Sequence, residues 1–227
     1  TIGSCLAIRA RTYVTLGGMN RRQAGEDFYF LNKVAQRQSI AAISGATVFP
    51  SSRESFRTPF GTGRTMARGA DSVLGYDPRI YGEIAAVTAW LRTVARTGEM
   101  ELPDRTHAET LRYLTSQRVT RQCERVLTQA RSGAARHKQL FAWFDGFRTM
   151  KLSQHLSRRA WPNVPGASAA HEIWATLLED GDPFAVRCTG LNPPACDRGD
   201  KTEPERLLDR FRALDRERGK LPLSPRR

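Results

Sequence analysis

Long apolar runs are missing from this chain: none of its 227 residues lies in a stretch near the ~18 apolar residues that a membrane span needs. Cysteine is scarce. The four, at positions 5, 123, 188 and 196, form no Cys-x-x-Cys pair, which removes the usual paired-thiol metal and redox motifs. Cys5 reads as a packed thiol in an apolar strand, and Cys188 and Cys196 flank a proline-containing loop where a bridge is possible but not favoured by the rest of the composition. Histidine is as sparse, and residues 107, 137, 155 and 171 show no His-x-x-x-His or carboxylate spacing from which to build a metal centre. Ser, His and Asp form no nucleophile elbow. Gly61-Thr62-Gly63 is followed by no Gly-Lys-Ser/Thr and is not a phosphate loop. Asp180-Gly181-Asp182 fits the letters of an Asp-x-Asp metal motif, but it stands at a helix-to-loop junction before Pro183 and reads as a turn.

Positive charge is what the chain has in excess. Its formal net charge is +13, with Arg far outnumbering Lys. The excess is uneven, because residues 1–70 hold ten basic and three acidic side chains. Such a surface favours an anionic partner, whether a nucleotide-sugar diphosphate, nucleic acid or an acidic membrane leaflet. With 40% hydrophobic residues there is enough apolar surface to bury a core.

Hydropathy patterning divides the chain in two. In residues 1–68, Ile2 to Ile8, Ile40 to Ile43 and Ala46 to Phe49 read as short strands, the last ended by Pro50. Arg11 to Leu16 reads as a short helix stopped by Gly17-Gly18. From Glu26 to Gln38, Phe28, Phe30, Leu31, Val34 and Ala35 recur at helical spacing. In residues 69–227 the spacing predicts helices over Glu83–Arg96, Ala108–Ala130, Ala135–Phe147, Ala169–Glu179 and Glu203–Arg218. The last has Leu207, Leu208, Phe211 and Leu214 as its apolar stripe, and Pro222 to Arg227 reads as a disordered end. The four tryptophans, at 90, 143, 161 and 174, are expected in the core or at an interface. The fold class expected is therefore α/β followed by a mainly α-helical section.

The densest chemistry lies in Gly17-Gly18-Met19-Asn20-Arg21-Arg22-Gln23-Ala24-Gly25-Glu26-Asp27-Phe28-Tyr29-Phe30. The glycines permit a positive-φ turn, and two carboxylates stand at the positive end of a helix. Taken with Thr1-Ile2-Gly3-Ser4-Cys5-Leu6-Ala7-Ile8-Arg9 and Tyr13 to Gly18, this run resembles the second half of a family 2 glycosyltransferase catalytic domain with the GT-A fold. The resemblance covers roughly residues 1–68. It implies that Asp27 is the base of an inverting sugar transfer, with Glu26 orienting the acceptor. It implies contacts to substrate from Ser4, Gly18 and Tyr29. It also implies a nucleotide-binding half upstream of Thr1, ending in an Asp-x-Asp motif that holds Mg or Mn, so that the chain alone binds no metal and is inactive.

A second cluster follows. Arg53, Arg57 and Arg64 lie within twelve residues among hydroxyls and glycines. Guanidinium forks match phosphate oxygens, so these three are candidates to neutralise the donor diphosphate. The expected partners are a nucleotide-sugar donor and a hydroxyl acceptor, in a cytoplasmic chain at most peripheral to a membrane. The alternative is a basic helical module for nucleic acid or acidic partners. Against nucleic acid, there is no helix-turn-helix, zinc-finger or RNA-recognition signature.

Overall fold

The computed structural model describes residues 6–21, 25–38, 40–41, 67, 73–182 and 203–219. They are mainly α-helical, and the strands among them are two two-residue segments, β1 (Leu74–Gly75) and β2 (Val164–Pro165), paired with each other. The chain divides into two units. One holds Tyr29–Gln36 and Gly75–Val164; the other holds Thr1–Phe28, Arg37–Leu74 and Pro165–Arg226.

In the first unit, α3 (Pro78–Thr97) is the central element. Its start is set by Asp77, whose carboxylate accepts the Arg79 N–H at 3.0 Å, and by Pro78 at the first helical position. Arg79 closes a two-point bridge onto the same carboxylate at 2.8 and 2.7 Å. These side-chain hydrogen bonds hold the Asp77 carboxyl below the usual range against the opposing effect of burial. Gly98 stops the helix at φ +85°, its N–H bonded to the Val94 carbonyl. Between these ends Ile80, Val87, Leu91 and Val94 repeat every three to seven residues and are almost wholly buried. They pack chiefly on α6 (Gly133–Trp143) and α7 (Gly146–Arg159), which contribute Leu140, Leu152 and Leu156.

The expected single helix over Ala108–Ala130 is two. α4 spans Ala108–Ser116 and α5 spans Val119–Gln129, with Arg118 between them at φ +54°. A continuous helix would carry the stripe of Thr110, Tyr113 and Leu114 onward through Gln117, Arg118 and Arg121. Breaking the helix shifts the phase so that Val119, Cys123 and Val126 enter the core instead. The expected helix over Ala135–Phe147 ends at Trp143, and α7 begins at Gly146 with Asp145 as its cap, accepting the Arg148 N–H at 3.0 Å. Glu83 ties α3 to the start of α4, accepting from Thr110 Oγ1 at 2.6 Å and from the His107 N–H at 3.2 Å. Residues of α2 (Glu26–Arg37) dock on the α6–α7 corner: Asn32 donates to Asp145 at 3.0 Å and accepts from the Gly146 N–H, while Phe30 and Val34 are buried.

In the second unit, α8 (Gly166–Glu179) and α9 (Glu203–Gly219) pack through Trp174, Leu207 and Leu214, with Phe211 edge-on to Trp174 at 5.2 Å. Leu208, expected in that stripe, is 49% exposed, because Leu207, Phe211 and Leu214 already fill the 3–4 spacing on the inner face. The turn expected at Asp180-Gly181-Asp182 is present, with Gly181 at φ +68° and the Asp182 N–H bonded to Leu177. The same unit holds α1 (Ala10–Thr15). The strands expected over Ile2–Ile8 and Ile40–Ile43 do not form at described residues 6–8 or 40–41, where no partner strand is present among the described residues; the remainder of both, and Ala46–Phe49, lie outside them. No helix among the described residues is long and apolar enough to cross a membrane.

Two outcomes follow for stability. Leu91→Ala removes a side chain with no exposed surface and is expected to cost about 3 kcal/mol in chemical denaturation, whereas Leu208→Ser should change stability by less than about 0.5 kcal/mol. Burial pushes the Cys123 thiol up from 9.0 to about 11. The unfolded chain therefore releases this proton first, and the associated stability, complete below pH 9, drains away as pH rises towards 11. Cys123→Ala should flatten that part of a pH–stability curve; an unchanged slope would show that other groups set it.

Candidate functional site

The glycine-rich turn is built from its own backbone. Helix α1 ends with the Leu16 N–H on Thr12 and the Gly18 N–H on Tyr13, and Gly17 and Gly18 take φ of +72° and +64°. These are left-handed conformations that a Cβ disfavours. Gly18 is buried under Tyr13, whose ring atoms lie 3.0–3.1 Å from where a Cβ would stand, while the corresponding space at Gly17 is open. Gly25 at φ +79° then leads into α2.

Glu26 and Asp27 occupy the first turn of α2, both half-buried. Asp27 Oδ1 accepts the Phe28 N–H at 2.8 Å, so one carboxylate oxygen is already bound to the helix start. This bond fixes the side chain against the first turn of α2. The Tyr29 ring lies 6.0 Å from that of Phe147, a packing contact within the first unit. Ser4, Arg53, Arg57 and Arg64 lie outside the described residues.

A cleft of about 550 Å³ opens on the first unit, and it was not expected from the sequence. Helices α4 and α7 form its walls. Tyr113 is its buried floor, donating its hydroxyl to the Arg148 carbonyl at 3.1 Å, and burial raises its phenol above the usual range while the Arg148 charge pulls it back. Arg148 is held in place by a 2.6 Å bond from Nη1 to the Trp143 carbonyl and by stacking 4.7 Å above the Trp143 ring. Lys151, Arg158 and Arg159 are exposed at the rim, and none makes an ion pair among the described residues. His155 is the exception, bonded to Glu109 at 3.1 Å, and Glu109 in turn pairs with Arg112. Residues 113 and 155 are distant in sequence, and only the packing of α4 on α7 brings them together. The signal available in the sequence was the helical spacing of Phe147, Lys151, Gln154 and Arg158.

Among the described residues no group of three or more His, Cys, Asp or Glu side chains is gathered in a way that could hold a metal ion. No family model, no curated protein and no solved structure matches this chain.

The glycine turn separates two effects that are usually confounded. Gly17→Ala introduces backbone strain alone and should cost about 1 kcal/mol; Gly18→Ala adds a collision with Tyr13 and should cost clearly more. Chemical denaturation of both variants, with Gly18→Ala repeated on a Tyr13→Ala background, checks this. Relief of the difference in that background is the expected result.

Proposed function

We propose that residues 1–68 are the C-terminal part of an inverting glycosyltransferase domain of the GT-A type, with an α/β organisation completed by a nucleotide-binding half upstream. The reading rests on the residues that resemble family 2 glycosyltransferases. The observation that carries it furthest is local: two successive glycines at positive φ, a third at Gly25, and Glu26-Asp27 in the first turn of the helix that follows. That sequence of conformations holds the carboxylate in the first turn of a helix, in the order the resemblance expects, and so supports the reading of Asp27 as the base.

In this proposal Asp27 takes the proton from the acceptor hydroxyl as that oxygen attacks the anomeric carbon, and the nucleoside diphosphate leaves from the opposite face. Glu26 orients the acceptor. Arg53, Arg57 and Arg64 neutralise the charge that develops on the departing diphosphate, and Ser4, Gly18 and Tyr29 border the sugar. The Mg or Mn expected for such a donor has no ligand set among the described residues, and its Asp-x-Asp ligands belong to the upstream half. A second reading, a basic helical module for nucleic acid or acidic partners, is favoured by the net charge of +13 and by the cationic rim of the α4–α7 cleft.

Asp27→Asn in the full-length protein tests the first reading. Transfer from a panel of nucleotide sugars should fall by at least about a thousandfold, while donor affinity stays within about twofold, because the base acts on the acceptor and not on donor binding. Near-normal transfer would reduce Asp27 to a helix cap. The coding sequence upstream of Thr1 tests the premise, since strands alternating with helices and ending in Asp-x-Asp support it and an unrelated domain overturns it.

A further inference from the structure

We infer that the cleft between α4 and α7 binds a small ligand carrying several phosphate charges. The first argument is charge without balance. Lys151, Arg158 and Arg159 are gathered on one cleft with no ion-pair partner among the described residues, and Glu109, which meets the cleft residue His155, is already engaged by Arg112 as well. Cations held close in this way repel one another, and a multivalent anion relieves that repulsion while the cleft walls concentrate the field.

The second argument is spacing. Lys151 and Arg158 are seven residues apart on α7, so their attachment points are separated by about 10 Å along the helix axis. One phosphate engages both only by drawing the two long side chains together, whereas a chain of phosphates or a ligand with separated phosphate groups meets each where it stands. Gln117 and Gln154 line the same cleft and supply neutral amide donors between the charges. The third argument is rigidity. The Lys151 ammonium lies 5.5 Å from the Phe147 ring centre, Arg148 is held by Trp143, and Leu152 and Leu156 anchor the opposite face of α7 in the core. The binding face is thus presented by a helix that does not have to be ordered on binding. The site stands whether or not residues 1–68 take part in sugar transfer.

Tripolyphosphate and inorganic phosphate are the probes, titrated calorimetrically into the 227-residue chain at low and moderate salt. Tripolyphosphate is expected to bind at least roughly tenfold more tightly than phosphate, and Lys151→Ala and Arg158→Ala each to weaken it roughly tenfold, as loss of one charged hydrogen bond does. Arg121→Ala removes the same charge from an exposed position of α5 outside the cleft and should leave affinity unchanged. Both cleft side chains are exposed, so the variants should melt as the parent does. The inference is overturned if tripolyphosphate does not bind, if phosphate binds as well, or if Arg121→Ala weakens binding as much as the cleft variants. It is also overturned if a single-stranded oligonucleotide binds with a steep salt dependence and tripolyphosphate fails to displace it, which would make the surface a nucleic-acid one.

Discussion

One carboxylate, that of Asp145, organises the helical unit. It caps α7 through the Arg148 N–H, and it receives the side-chain amides of Asn32 at 3.0 Å and Gln36 at 3.4 Å. A helix start leaves backbone N–H groups without partners, and an acidic side chain there satisfies a donor and complements the helix dipole at once. By fixing where α7 begins, Asp145 also fixes its rotation. Leu152 and Leu156 must then face α3, and Lys151, His155 and Arg158 fall on the face beside α4. The position of the cleft is a consequence of where one helix starts.

The core itself is ordinary in its physics. α3 presents an unbroken 3–4 spacing of Ile80, Ile84, Val87, Leu91 and Val94, and the surrounding helices close over it with one or two large side chains each. Polar groups that enter are paired, as Thr110 is with Glu83 and Ser153 with the Thr149 carbonyl. Among the described residues three buried donors are exceptions and make no hydrogen bond: Nε1 of Trp90, Nε1 of Trp174 and Nε of Arg148. The last belongs to a residue of the cleft lining.

Helical periodicity made α3, α8 and α9 legible in the sequence, and the glycine turn with Glu26-Asp27 at the head of α2 was legible as well. Three features were not. The break at Arg118 depends on which residues the core can accept, since Gln117 and Arg118 are unremarkable as helix formers and become impossible only when the stripe would turn them inwards. Helix α7 was hidden by its cations: Arg148, Lys151, Arg158 and Arg159 dilute the apolar signal of Phe147, Leu152 and Leu156, and only Asp145 before Gly146 marks its start. The cleft was invisible for a further reason. Tyr113 comes from α4, Gln117 from just past its end and Lys151 to Arg159 from α7, and no spacing within the chain encodes that meeting.

The stacking of Arg148 on Trp143 reaches beyond stability. A guanidinium 4.7 Å from the centre of an indole ring is attracted by the negative face of that ring, so whatever displaces Arg148 must break this contact as well. None of the four tryptophans lines the cleft, but Trp143 holds Arg148, which does. An event at the cleft that moves Arg148 is thereby passed on to an indole that does not itself line it.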